Sequence, residues 1–154
     1  MKSLARQRSG HPLVQQLARN ILLNYNVESQ NYIDEALAIG DYVKRKVRYV
    51  RDPDDIEQLQ DPLTMIDQLK RGVAQGDCDD IATLIATLLL SVGHRPEYRA
   101  VRYRSYGGPY NHIYVIVRER NWKGPVRRIV LDGILKRDPI GTEVPHSSGD
   151  DYPI

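Results

Sequence analysis

The chain of 154 residues is 41% hydrophobic and 27% charged, with a formal net charge of +2, which suits one globular domain with a true core and leaves little room for a second. Its single cysteine, Cys78, excludes an internal disulfide and any zinc site built on several thiolates. The basic N-terminus leads into no uninterrupted apolar run, so neither a signal peptide nor a membrane span is expected.

Leu13, Val14, Leu17, Ile21 and Leu22 recur at helical spacing between His11 and Asn24. A second helix is predicted from about Tyr32 to Val47, with Ile33, Ala36, Leu37, Gly40 and Val43 along one side. Tyr49-Val-Arg-Asp-Pro-Asp-Asp then breaks the period. Asp61-Pro62 reads as an N-cap followed by proline at the first helical position, with Met65, Ile66 and Leu69 as the apolar face and Gly72 as the end. The next helix opens in Gly76-Asp-Cys-Asp-Asp and closes at Gly93. Beyond it the period becomes two. Tyr98–Arg104, Asn111–Arg118 and Arg127–Asp132 are predicted strands, with turns at Tyr106-Gly-Gly-Pro and Asn121-Trp-Lys-Gly-Pro. Pro, Gly and Ser from Asp138 onward mark residues 138–154 as an extended polar tail. Helices first and strands second predict one α+β domain over residues 1–137, its core in 31–137, with an antiparallel sheet packed on the cysteine-bearing helix.

Charge is blocked along the chain. Residues 51–92 carry 3 basic and 9 acidic groups, while residues 93–137 carry 11 and 3. Such blocks are usually solvated faces that pair across the fold.

Cys78 stands where a polar turn becomes a long apolar run. Asp77 is a good N-cap, and Asp80 three residues on can complete a capping box, so Cys78 occupies the first helical position. Unpaired N–H groups and the helix dipole there favour a thiolate. The neighbouring aspartates oppose it by repulsion. The alternative is a buried cysteine acting as a small hydrophobe.

A nucleophilic cysteine needs a base and an orienting group for that base. Of the four histidines, His11 and His146 lie in terminal segments, and His94 falls more than about 20 Å away at the far end of the Cys78 helix. His112 sits on a strand that could pack beside the helix N-terminus. Asp132 ends the apolar strand Ile129-Val-Leu and could receive the imidazole N–H. Taken singly, His112 also reads as a half-exposed strand histidine, and Asp132 as a turn residue ahead of Gly133. Gln75, three residues before the cysteine, is a candidate second oxyanion donor beside the Cys78 N–H, or else a turn residue.

Together these elements resemble the transglutaminase-like superfamily, the papain-like fold of small microbial and viral domains. The resemblance spans Ala36 to Ile134: Tyr49-Val-Arg-Asp-Pro, Asp61-Pro-Leu-Thr-Met-Ile, Gly76-Asp-Cys-Asp-Asp with its apolar helix, His112-Ile-Tyr-Val-Ile-Val, Trp122 and Leu131-Asp132. It implies Cys78 as nucleophile, His112 as base and acid, and Asp132 as orienter, in acyl transfer on an amide through a thioester. Water as acceptor makes the enzyme a peptidase or amidase; an amine makes it a transglutaminase. It further implies a protein or peptide substrate and no cofactor.

The first rival is a non-catalytic domain serving assembly, for example in a virus particle, with protein partners. The expected location is accordingly the cytoplasm or a virion. A nucleic-acid binder would use Arg95, Arg99, Arg102 and Arg104 with Tyr98, Tyr103 and Tyr106, but alternate strand residues face opposite ways and split that patch. A metal site of Cys78, His112 and an aspartate lacks a fourth ligand.

Overall fold

A computed structural model describes residues 1–51, 58–103, 109–120, 123–143 and 145–154, without the side chain of Tyr103. The expected breaker from Asp52 to Asp55, the end of the strand at Arg104, most of the Tyr106-Gly-Gly-Pro turn, and Trp122 lie outside the described residues.

Among the described residues five helices come largely from the first half: α1 (Lys2–Ser9), α2 (Pro12–Asn24), α3 (Tyr32–Lys46), α4 (Pro62–Lys70) and α5 (Cys78–Ser91). Their starts follow local chemistry. The His11 ring nitrogen Nδ1 accepts from Leu13 N–H and Pro12 opens α2. The Asp61 carboxylate accepts from Leu63 N–H, and Pro62 opens α4.

Helix α5 is the centre. Ten of its 14 residues are buried, because α1, α2, α3 and α4 pack around it and the sheet covers the remaining side. Ala5, Val14, Ala18 and Ile21 join the same apolar cluster as Leu84, Ile85 and Leu88. The core thus reaches ahead of the stretch 31–137, into a helix, α1, that the sequence pattern does not announce.

The strands are β1 (Val47–Tyr49), β2 (Ala74–Gly76), β3 (Glu97–Tyr103), β4 (His112–Glu119), β5 (Arg127–Leu131) and β6 (His146–Pro153). β3 to β6 form an antiparallel sheet in the order β5-β4-β3-β6. Tyr98, Val115, Val117, Ile129 and Leu131 point into the main core, and Val101, Tyr114, Ile116 and Val130 make a second small cluster on the other face. The polar tail contains β6, an edge strand held on β3 by Arg99 to Asp151 at 2.6 Å and Arg118 to Asp151 at 2.9 Å. Separately, β1 and β2 pair in parallel, Tyr49 opposite Gly76, and β2 leads straight into α5.

Candidate active site

The start of α5 is a complete capping box. Asp77 Oδ1 accepts from the N–H of Asp79 at 3.1 Å and of Asp80 at 3.3 Å, and Asp80 Oδ2 accepts from Asp77 N–H at 3.3 Å. Asp80 is fully buried, where a bare carboxylate would be costly. Gln60 answers that cost: its backbone N–H donates to Asp80 Oδ1 at 2.7 Å and its Nε2 to Asp80 Oδ2 at 2.9 Å. Burial still leaves the Asp80 pKa raised. Gly76 makes the room, since a Cβ there would fall 2.7 Å from Asp80 Cβ. The pattern Gly-Asp-Cys-Asp-Asp is therefore a structural unit around one buried carboxylate.

Gln60 Nε2 also donates to the carbonyl of Gln75, whose own N–H donates to Gln68 Oε1 at 3.0 Å. Both outward backbone groups of β2 at Gln75 are thereby satisfied, and its side chain is exposed.

At the ends of β4 and β5, His112 and Asp132 meet. His112 Nε2 lies 2.7 Å from Asp132 Oδ2, with 2% and 3% of the two side chains exposed. Asp132 Oδ1 accepts from Ile134 N–H at 3.1 Å, which fixes the carboxylate's rotation. An acceptor at Nε2 selects the tautomer protonated there and puts the basic lone pair on Nδ1. The β4–β5 ladder begins at Val115 opposite Leu131. Ahead of it, the backbone N–H of Ile113, the residue after His112, is among the groups that favour the charged form of Cys78. Cys78 is half-buried. Gly133 lets α5 approach, since a Cβ there would lie 2.4 Å from Ile81 Cγ2.

The electrostatics differ from the activated thiolate expected at a helix start. Burial, Asp77 and Asp79 together outweigh two backbone N–H groups and push the thiol up to about 11. Asp79 is itself pushed up to about 8 by burial, a side-chain hydrogen bond to Asp77 and the charges of Asp77 and Asp80. That balance favours the neutral thiol over the thiolate.

Asp77, Asp79 and Asp80 bring carboxylate oxygens within 4.8 Å of one another, the one such grouping among the described residues; Cys78 and His112 are not in it. Asp77 and Asp80 are already engaged in the capping box. His94 sits at the other end of α5, buried between Glu119 at 2.7 Å and Glu35 at 3.2 Å. His11 serves as a helix cap and His146 contacts Arg99.

No family model matches this chain, and no curated protein matches it either. Solved structures do. A candidate cysteine protease from Cytophaga hutchinsonii aligns over 89% of this chain and 42% of its own, with a TM-score of 0.55 and 14% identity. A candidate protease from Parabacteroides distasonis aligns over 83% and 28%, at 0.53 and 16%. Legionella pneumophila LapG, in an EGTA-treated form, aligns over 80% and 70%, at 0.51 and 15%. The chain spans less than half the length of the first two. It shares their fold, the papain-like and transglutaminase-like arrangement of a central helix against an antiparallel sheet.

Proposed function

We propose that this chain is a cysteine-dependent acyl-transfer enzyme acting on an amide bond of a protein or peptide, with Cys78, His112 and Asp132 as its catalytic set. The observation that carries the reading is the buried His112–Asp132 pair at 2.7 Å; the backbone N–H of Ile113, next to His112, is among the groups that act on the Cys78 thiol, which supports placing the two side by side. The fold shared with a structure described as a candidate cysteine protease and another described as a candidate protease supports it.

Because the thiol is pushed up to about 11, proton removal accompanies attack. His112 Nδ1 takes the proton as the Cys78 sulfur bonds to the amide carbonyl carbon. The oxyanion faces the Cys78 N–H at the helix start, with the exposed Gln75 amide as the second donor. Collapse breaks the C–N bond, and the His112 imidazolium gives its proton to the leaving nitrogen. Asp132 stabilises that imidazolium and keeps the ring in register. Water then attacks the thioester with His112 again as base, releasing a carboxylic acid and restoring the thiol. An amine in place of water would give a new amide.

The test is acylation by an activated ester, followed by mass spectrometry of the intact chain and release with water or a primary amine. A burst of one acyl group on Cys78, abolished in Cys78→Ala and in His112→Ala, supports the reading, and the acceptor that speeds release assigns its type. Absence of acylation above the free-thiol rate overturns it. That outcome favours the second reading, a non-catalytic assembly domain, for which the raised thiol pKa is the specific observation: a structural cysteine has the same property.

A further inference from the structure

The C-terminal end of α3 and the N-terminal ends of β1 and β2 surround a cavity of about 440 Å³, at the opposite end of the β1–β2 pair from Cys78. Five cationic side chains line it: Lys44, Arg45, Lys46, Arg48 and Lys136. Asp41 is the only carboxylate among the described lining residues. Asp41 is spent on Arg45 at 2.6 Å and on the Tyr25 hydroxyl at 2.7 Å, so among the described residues four positive charges remain unbalanced.

Their surroundings do not neutralise them. Lys44 is only 6% exposed, yet its ammonium donates to the backbone carbonyl of Asp138. Lys136 donates to the carbonyls of Lys44 and Val47. Carbonyl dipoles solvate an ammonium but carry no net charge. Lys46 and Arg48 are exposed, and neither makes an ion pair among the described residues. Partial burial, with the charge of Lys44 added, lowers the pKa of Lys136. The negative end of the α3 dipole explains some clustering, but it amounts to roughly half an elementary charge, against four. A cavity of this size is ample for a small anionic ligand.

We propose that this cavity binds a compact, multiply charged phosphoryl anion: pyrophosphate or the diphosphate group of a nucleotide. A single carboxylate would leave most of the charge uncompensated, whereas a diphosphate brings several negative charges and many acceptor oxygens. The Arg48 guanidinium suits a two-oxygen fork, and the lysines act as point charges.

The experiment is calorimetric titration of the full chain with inorganic pyrophosphate, with sulfate at matched ionic strength alongside. Saturable one-site binding is expected. Lys46→Gln and Arg48→Gln, both exposed and outside the core, should each weaken it by about tenfold or more, the loss of one charge-assisted hydrogen bond, with unchanged melting temperature. A nucleoside diphosphate is the second probe: binding no weaker than pyrophosphate upholds the proposal and points to a nucleotide, and binding of pyrophosphate alone upholds the free anion. Lack of saturation at millimolar pyrophosphate overturns the proposal. So does equal response to sulfate, or binding indifferent to both substitutions.

Discussion

Gly133→Ala puts a number on how closely the cysteine helix is seated against the end of β5. Gly133 has no left-handed backbone, so the substitution is purely a question of space. Its Cβ would lie 2.4 Å from Ile81 Cγ2 and 3.5 Å from Ile85 Cδ1. Carbon atoms settle about 3.5–4.0 Å apart, so the first contact is short by roughly 1 Å. Ile81 is 2% exposed and β-branched on a helix, where one χ1 rotamer dominates; it has nowhere to turn. Either α5 or the Asp132–Gly133 backbone must move. Overpacking of this kind costs about 1–3 kcal/mol, and for a chain of this size each kcal/mol lowers the melting temperature by about 2–4 °C. Gly10→Ala is the control: nothing lies within 4 Å of its Cβ and its φ of −80° suits alanine, so it should be neutral or stabilising by up to about 1 kcal/mol. Urea unfolding of both variants measures the difference. The same displacement shifts Asp132 and, through it, His112, so Cys78 alkylation should also change in Gly133→Ala and not in Gly10→Ala. A Gly133→Ala protein within about 0.5 kcal/mol of the parent, with unchanged alkylation, refutes the packing argument.

At pH 7 iodoacetamide should alkylate Cys78 more slowly in His112→Ala than in the parent, because a thiol pushed up to about 11 then has no base to take its proton; equal rates would remove His112 as base. Asp79 has a folded pKa pushed up to about 8, so its contribution is fully present below the ordinary carboxylate range, near 4, and is lost as pH rises through 8. Asp79→Asn should therefore stabilise the protein at pH 9 and hardly at pH 4, by about 1–2 kcal/mol once solvent screening of this half-buried group is allowed for. A pH-independent effect in urea unfolding would contradict that. Glu143 has the opposite sign: Arg128 and the Tyr114 hydroxyl hold it down to about 2. Glu143→Ala should cost about 1 kcal/mol at pH 7, a difference that fades as pH falls from 4.5 toward 2. The Glu143→Ala midpoint across that window is the check.

Local chemistry made much of this chain legible before any tertiary contact was known. The α5 start could be read because an N-cap and its partner three residues on act within one turn, and the strands after Gly93 because a half-buried sheet imposes a period of two. Where the periodic signal is weak, an element leaves no mark in the sequence. In α1 only Ala5 is buried, β1 and β2 are three residues each, and β6 is held by Arg99 and Arg118 rather than by an apolar face. His112 and Asp132 were nameable as residue types at the right points along two strands; their 2.7 Å contact exists only because β4 and β5 pair in one register. The thiol shows the division most clearly. Sequence alone put Cys78 at a helix N-terminus, where backbone N–H groups favour a thiolate. Packing decided the sign, because burial among Asp77, Asp79 and the apolar core acts against the charged form more strongly than two N–H groups act for it.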